Sequence, residues 1–219
     1  MTTVIALDSA GPRIGVALLH DGAVAVRLAD GGRGTERQLV GLVAELFDEA
    51  GVARSAVDAV AVSIGPGAFT GLRVGIATAG GLAQALARPV VPIGSLEPRA
   101  LHVGLAGELL VMLDARKQRV YAAAWHDTEL VRGAVDVSPT EAIAWMSAPF
   151  RAAGAGAVVY EEAVRAANGV VVADATHPGV GELARLASRR LDSGISPTEL
   201  VPRYLRAPDA VARRGGAGR

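Results

Sequence analysis

Val4-Ile5-Ala6-Leu7-Asp8 returns 106 positions later as Leu110-Val111-Met112-Leu113-Asp114. Each apolar run ends in Leu-Asp and is followed by His-Asp, at His20-Asp21 and His126-Asp127, the only such pairs in the chain. In the same register, without gaps, Arg13 falls on Arg119, Ala17 on Ala123 and Asp30 on Asp136. One register that supplies all these matches points to a duplication at about half of the 219 residues.

Each copy opens with the same local pattern. A buried apolar strand (4–7; 109–113) ends in Asp, and a second strand follows (14–19; 120–125). Asp21-Gly22 is a hairpin turn leading to a third strand at 23–28, matched more weakly around 130–137. A helix begins near Thr35-Glu36, with Leu39, Leu42, Val43, Leu46 and Phe47 forming one stripe. Its counterpart begins near Thr140-Glu141, after Ser138-Pro139. The first copy continues with a strand at 57–64, a helix at 71–87 stopped by Pro89, a strand at 90–93 and a helix from 95 to about 103. The second continues with a strand at 155–160, a helix at 161–167, a strand at 170–173 and a helix at 179–191. Alternating strands and helices predict the α/β class. The order β-β-β-α-β-α-β-α, used twice, resembles the actin-like ATPase (ribonuclease H-like) fold, with a shortened second lobe. The expected units are residues 1–105, residues 106–206 and a Gly/Arg-rich tail at 207–219 that is expected to fray.

Composition excludes several classes of function. With 51% hydrophobic and 20% charged residues the chain can bury a core. Zero net charge gives no general field for nucleic acid. The absence of cysteine excludes disulfides, thiolate nucleophiles and Cys-ligated zinc, and fits a cytoplasmic location. Neither a signal peptide nor a membrane span is expected.

Asp8-Ser9-Ala10-Gly11 resembles the first phosphate hairpin of actin-like ATPases, where an Asp at a strand end organises Mg²⁺ through water. The other reading is an Asp capping a tight turn. The matching Asp114-Ala115-Arg116-Lys117 carries long cations where an ATPase would want small residues. Gly65-Pro66-Gly67-Ala68-Phe69-Thr70-Gly71-Leu72-Arg73 lies between a strand and a helix, with Thr70 as the expected N-cap, and fits neither a P-loop nor a dinucleotide fingerprint. The helix beyond carries Gly75, Ala77, Ala79, Gly80, Gly81 and Ala83. Each internal Gly costs about 1 kcal/mol relative to Ala, so another backbone is expected to come close, in the same core or on a partner. His20, His102, His126 and His177 are scattered without a metal-binding spacing, so no metal site is expected, while a Ser-His-Asp triad stays open because triads assemble in space.

Three segments together resemble the bacterial TsaB family, also called YeaZ: Gly65–Gly75, Asp114–Tyr121 and Pro202-Arg203-Tyr204-Leu205-Arg206. The resemblance runs from Val4 to Arg206. Ala68 departs from it where Ser is commoner, as do Gln118-Arg119 where a small residue and Glu are expected. It implies a paralogue of TsaD, which transfers threonylcarbamoyl to adenosine 37 of tRNAs reading codons that begin with A. The metal histidines of TsaD are missing, since the equivalent helix reads Thr35-Glu36-Arg37-Gln38-Leu39. The implied role is a non-catalytic subunit that dimerises with TsaD, acts alongside the ATPase TsaE and forms homodimers in isolation. ATP and Mg²⁺ would be used by the complex and not by the isolated chain, and tRNA would be reached only through the complex. The expected partner surface is Leu39, Val43 and Leu46 with Phe69, Leu72, Arg73, Gly75, Ile76, Ala79 and Gly80, and Ala79→Trp is the substitution expected to block it. Asp8, Ser9 and Gly11 are the expected nucleotide contacts, if any remain. A stand-alone actin-like phosphotransferase and a glycoprotease-like peptidase are the alternatives.

Overall fold

The computed structural model describes residues 2–206. The expected tail at 207–219 lies outside them. Lobe one runs β1 (Thr3–Asp8), β2 (Arg13–His20), β3 (Ala23–Asp30), α1 (Thr35–Ala50), β4 (Ala59–Gly65), α2 (Phe69–Leu86), β5 (Val90–Gly94) and α3 (Leu96–Val103). Lobe two runs β6 (Glu108–Asp114), β7 (Val120–His126), β8 (Glu129–Val137), α4 (Pro139–Ile143), β9 (Phe150–Ala153), α5 (Ala155–Val159), α6 (Glu161–Ala166), β10 (Gly169–Val171) and α7 (Val180–Ser188).

The two sheets have the same order, β3-β2-β1-β4-β5 and β8-β7-β6-β9-β10. In each the first strand pairs antiparallel with the second and parallel with the fourth, and the fourth pairs parallel with the fifth. This is a duplicated actin-like (ribonuclease H-like) fold. β1 and β4 are covered on both faces and read as near-continuous Val, Ala and Ile, as parallel strands do. The β2–β3 turn uses Asp21 and Gly22, both at positive φ, which matches the twist of the two strands.

Leu39, Leu46 and Phe47 of α1, with Ile76, Ala79 and Ala83 of α2, cover one face of the first sheet. The other face is covered by Val180, Leu183, Ala184 and Ala187 of α7, which comes from the far end of the chain. Leu96 and Ala100 of α3 in turn join the core of the second sheet, against Leu109, Val111 and Ala153. The boundary at residue 105 therefore separates the sheets but not the helices, because each lobe lends a helix to the other.

The shortening of lobe two falls on its helices. All five strands are kept, while α4 has 5 residues against 16 in α1. One strand expectation is corrected. Residues 155–159 form α5, and the strand lies earlier, at Phe150–Ala153. Ala155, Gly156 and Ala157 are small enough for this turn to lie against β6, and a Cβ on Gly154 would overlap the Met112 carbonyl. A short apolar run does not distinguish a strand from a buried helical turn.

Candidate partner-binding site

In α2 the turns that face inward and those that face outward both carry small residues, for different reasons. Gly71 and Gly75 lie against Ser9, and a Cβ on either would overlap it. Gly67 is packed in the same way against Ala10. The Ser9 hydroxyl donates to the Gly71 carbonyl at 2.8 Å, and the Ala68 N–H donates to the Ala10 carbonyl at 2.8 Å. The helix starts at Phe69 with Ala68 as N-cap, so Thr70 is not the cap. These glycines serve a close backbone approach within lobe one.

The outward stripe is Phe69, Arg73, Ala77, Gly81 and Ala85, spaced four apart and exposed. Gly81 has open space where a Cβ would stand. Beside this stripe α1 presents Glu36, Arg37, Val40 and Val43. Together with Ala77, Thr78, Gly81 and Leu82 they line an apolar groove of about 640 Å³. Val40 is 58% exposed although it is a large aliphatic residue on a helix. Phe69 stacks on Tyr204 with ring centroids 5.2 Å apart, and the Arg73 guanidinium lies 3.9 Å over the Phe69 ring.

These positions correct part of the sequence expectation. Leu39, Leu46, Leu72, Gly75 and Ala79 face the interior of lobe one and present nothing to a partner. Gly80 faces Leu200 and the Pro197 carbonyl, which belong to the segment returning from lobe two. Val43 and Ile76 sit at the edge of the core, while Phe69 and Arg73 are exposed. Ala79→Trp would therefore disrupt the core and would not report on a partner. Val40, Ala77, Gly81 and Leu82 line the groove and are not among the residues expected from the sequence. Counting in fours from Phe69 and Arg73 finds Ala77 and Gly81.

The expected nucleotide contacts are also corrected. Asp8 is 0% exposed, and Arg99 of α3 is 2% exposed. Arg99 Nη2 donates to Asp8 Oδ1 at 2.8 Å and Nη1 donates to Oδ2 at 3.0 Å, while the Ala10 N–H donates to Oδ1 at 3.1 Å. Ser9 is buried beneath α2, and Gly11 faces the Arg99 guanidinium. In lobe two the Arg116 N–H caps Asp114 in the same Asx turn, at 2.9 Å. Arg116, Lys117 and Gln118 follow at positive φ. Neither hairpin fits Mg²⁺-nucleotide, since one carboxylate is sealed and the other is followed by a cationic tip.

Two of the scattered histidines come together. His102 and His177 stack with centroids 3.7 Å apart and planes 9° apart, and Asp174 lies beside them with ligand-type atoms of all three within 4.8 Å. His177 Nδ1 accepts the Gly179 N–H at 2.9 Å, so the neutral ring carries its proton on Nε2. Stacked rings hold their lone pairs parallel, and a metal on Nε2 would turn an Nδ1–H against the Gly179 N–H. The arrangement is therefore that of a stacked pair pinning the start of α7.

The similarity to known proteins follows the same outline. A family profile described as TsaD, tRNA N6-adenosine threonylcarbamoyltransferase, matches residues 31–166. An uncharacterized protein of Mycobacterium tuberculosis is 33% identical over 218 residues, 96% of this chain and 94% of its own. The tRNA threonylcarbamoyladenosine biosynthesis protein TsaB of Haemophilus influenzae is 34% identical over 122 residues, 54% of this chain and 52% of its own. The structure of YeaZ from Pseudomonas aeruginosa superposes with a TM-score of 0.76 at 31% identity, covering 94% of this chain and 100% of that one. With a profile match over more than half its length and a full-length YeaZ relative, the chain belongs to the TsaB (YeaZ) family, paralogous to TsaD.

Proposed function

We propose that this chain is a non-catalytic subunit that binds a TsaD-like enzyme through the α1–α2 face. There it supports threonylcarbamoyl transfer to N6 of adenosine 37 in tRNAs reading codons that begin with A. The observation that carries the reading is the low apolar groove at Val40, Ala77, Gly81 and Leu82. Ala77 and Gly81 let a second backbone approach, and Val40 and Phe69 supply exposed apolar area beside them. An exposed patch of this kind, rimmed by Glu36 and Arg37, is characteristic of a protein contact. In isolation the same face pairs two copies of the chain. ATP and Mg²⁺ enter through a TsaE-like ATPase and the catalytic subunit, and tRNA is met through the complex.

The lack of a metal-binding histidine pair at Thr35-Glu36-Arg37-Gln38-Leu39 supports the non-catalytic role. The sealed Asp8 argues against a stand-alone phosphotransferase. His20 bonds the Thr3 hydroxyl, which is buried in β1 and closed to a substrate, while His126 and His177 bond Glu108 and the Gly179 N–H, which are not nucleophiles. Gly81→Trp should leave the melting temperature nearly unchanged and weaken binding to the TsaD-like subunit by roughly 100-fold or more. Undiminished co-purification with that subunit would sink the assignment.

A further inference from the structure

The crevice outside the carboxyl ends of the parallel strands is where open α/β sheets hold their ligands. In lobe one that position belongs to the chain itself. Asp8 closes β1, and Ser63 stands beside it on β4, since Val62 pairs with Leu7. Arg99 reaches over from α3 to grip both carboxylate oxygens and also donates to the Ser95 carbonyl at 2.5 Å. The Ser95 N–H donates to the Gly65 carbonyl at 3.0 Å, and its hydroxyl bonds the Pro66 carbonyl. The Ser63 hydroxyl is the one buried side-chain polar atom among the described residues that has no hydrogen-bond partner.

We infer that the Asp8–Arg99 pair takes the place that Mg²⁺-nucleotide would hold in this fold and fixes the two lobes together without a ligand. The helix that carries Arg99 makes the link. Leu96 and Ala100 on α3 are buried in the core of the second sheet, while Arg99 on the same helix is bound to the first. The N-cap of α7, Gly179, packs on the backbone of Pro98 and Arg99 and clamps α3 from the other side. A guanidinium fork on a carboxylate has one geometry, whereas a dissociable ligand would leave the lobes free when it departs. A buried pair of this kind adds little net stability over an apolar pair of similar volume, but losing one member strands the other's charge. The partner-binding face of lobe one is therefore held against lobe two with no nucleotide present.

The test uses the isolated full-length chain, so it does not depend on the proposed TsaD-like partner. Millimolar Mg²⁺-ATP should leave the wild-type melting temperature unchanged, whereas a site filled a hundredfold above its Kd would raise it by roughly 5 °C or more. Arg99→Met should lower the melting temperature by roughly 6–15 °C and speed hydrogen exchange in both α3 and β6. The double variant Asp8→Leu/Arg99→Met should recover most of that loss, because neither charge is left unpaired. If Arg99→Met does not fold, Arg99→Lys keeps the charge without the fork and should show an intermediate loss. Mg²⁺-ATP binding that depends on Asp8 would overturn the inference, as would an Arg99→Met chain with wild-type stability and exchange. A double variant no better than the single one would also overturn it.

Discussion

The two lobes share a strand order and an Asx turn, yet they close the carboxyl ends of their sheets by different chemistry. In lobe one the Asp8 turn is sealed by Arg99 and by α2, whose glycines let backbone meet backbone. In lobe two the Asp114 turn is half-open, and its neighbourhood is held by long side chains. Arg119 Nε donates to Asp136 Oδ1 at 2.7 Å, and Arg206 donates to both oxygens of the same carboxylate at 2.7 and 3.0 Å. The duplicated residues have been rewired, because Arg13, the match of Arg119, bonds Asp174 at 2.6 Å and not Asp30, the match of Asp136. A seat made of packed backbone, such as that of α2 on the Ser9 turn, tolerates salt and acid but not volume. One made of half-exposed ion pairs tolerates volume but responds to acid.

The volume side of this comparison carries the largest expected effect. Gly75→Val would put a branched side chain where the buried Ser9 hydroxyl stands and should cost about 3 kcal/mol. The control is Gly81→Val, six residues along the same helix, where the added atoms meet open space. That change should alter stability by less than about 1 kcal/mol. Urea denaturation of both variants decides the matter. Equal losses would mean that α2 is not seated on the Ser9 turn as described.

The ion-pair side gives a smaller effect that depends on pH. Burial raises the pKa of Asp136, and the hydrogen bonds from Arg206 and Arg119 more than reverse this, so the carboxyl sits below its ordinary value of 3.8. A depressed carboxylate lends stability above its unfolded pKa and loses it as the pH falls through the folded one. Asp136→Ala should therefore cost about 2 kcal/mol at neutral pH, or roughly 4–8 °C in melting temperature. Its deficit should shrink as the solution is acidified below pH 3.8. A deficit that stays constant with pH would point to lost packing and not to lost charge.

How much of this was legible in the sequence follows from the same contrast. Val4–Asp8 and its echo at Leu110–Asp114 disclosed the duplication, because the two runs end in the same residue and are buried for the same reason. The glycines of α2 announced a close neighbour, but spacing alone does not say which face of a helix looks inward. The small residues assigned to a partner, Gly75 and Ala79, belong to the core, while Ala77 and Gly81, shifted around the helix, belong to the surface. Arg99 gave no local signal. It is one arginine among many in a short helix, and its partner lies 91 residues away, at Asp8. The α7 crossover was hidden for a similar reason, since a helical stripe on Val180, Leu183 and Ala187 does not name the sheet that it covers.

The smallest expected effect lies at the junction between the two closures. Burial, and after it the neighbouring His102, push the pKa of His177 down to about 4 from its model-compound value of 6.5. The geometry gives the same direction, because a proton on Nδ1 would face the Gly179 N–H that this nitrogen now accepts. Between these two pKa values the unfolded chain binds more protons at this site than the folded one, so stability should fall as the pH drops from 6.5 to about 4 and level off below. His177→Gln keeps an acceptor for Gly179 and does not titrate. It should remove this slope while leaving stability at neutral pH within about 1 kcal/mol of the parent. Urea titrations across that pH window compare the two slopes. A variant whose slope matches the parent's would show that His177 does not carry the acid sensitivity of this window.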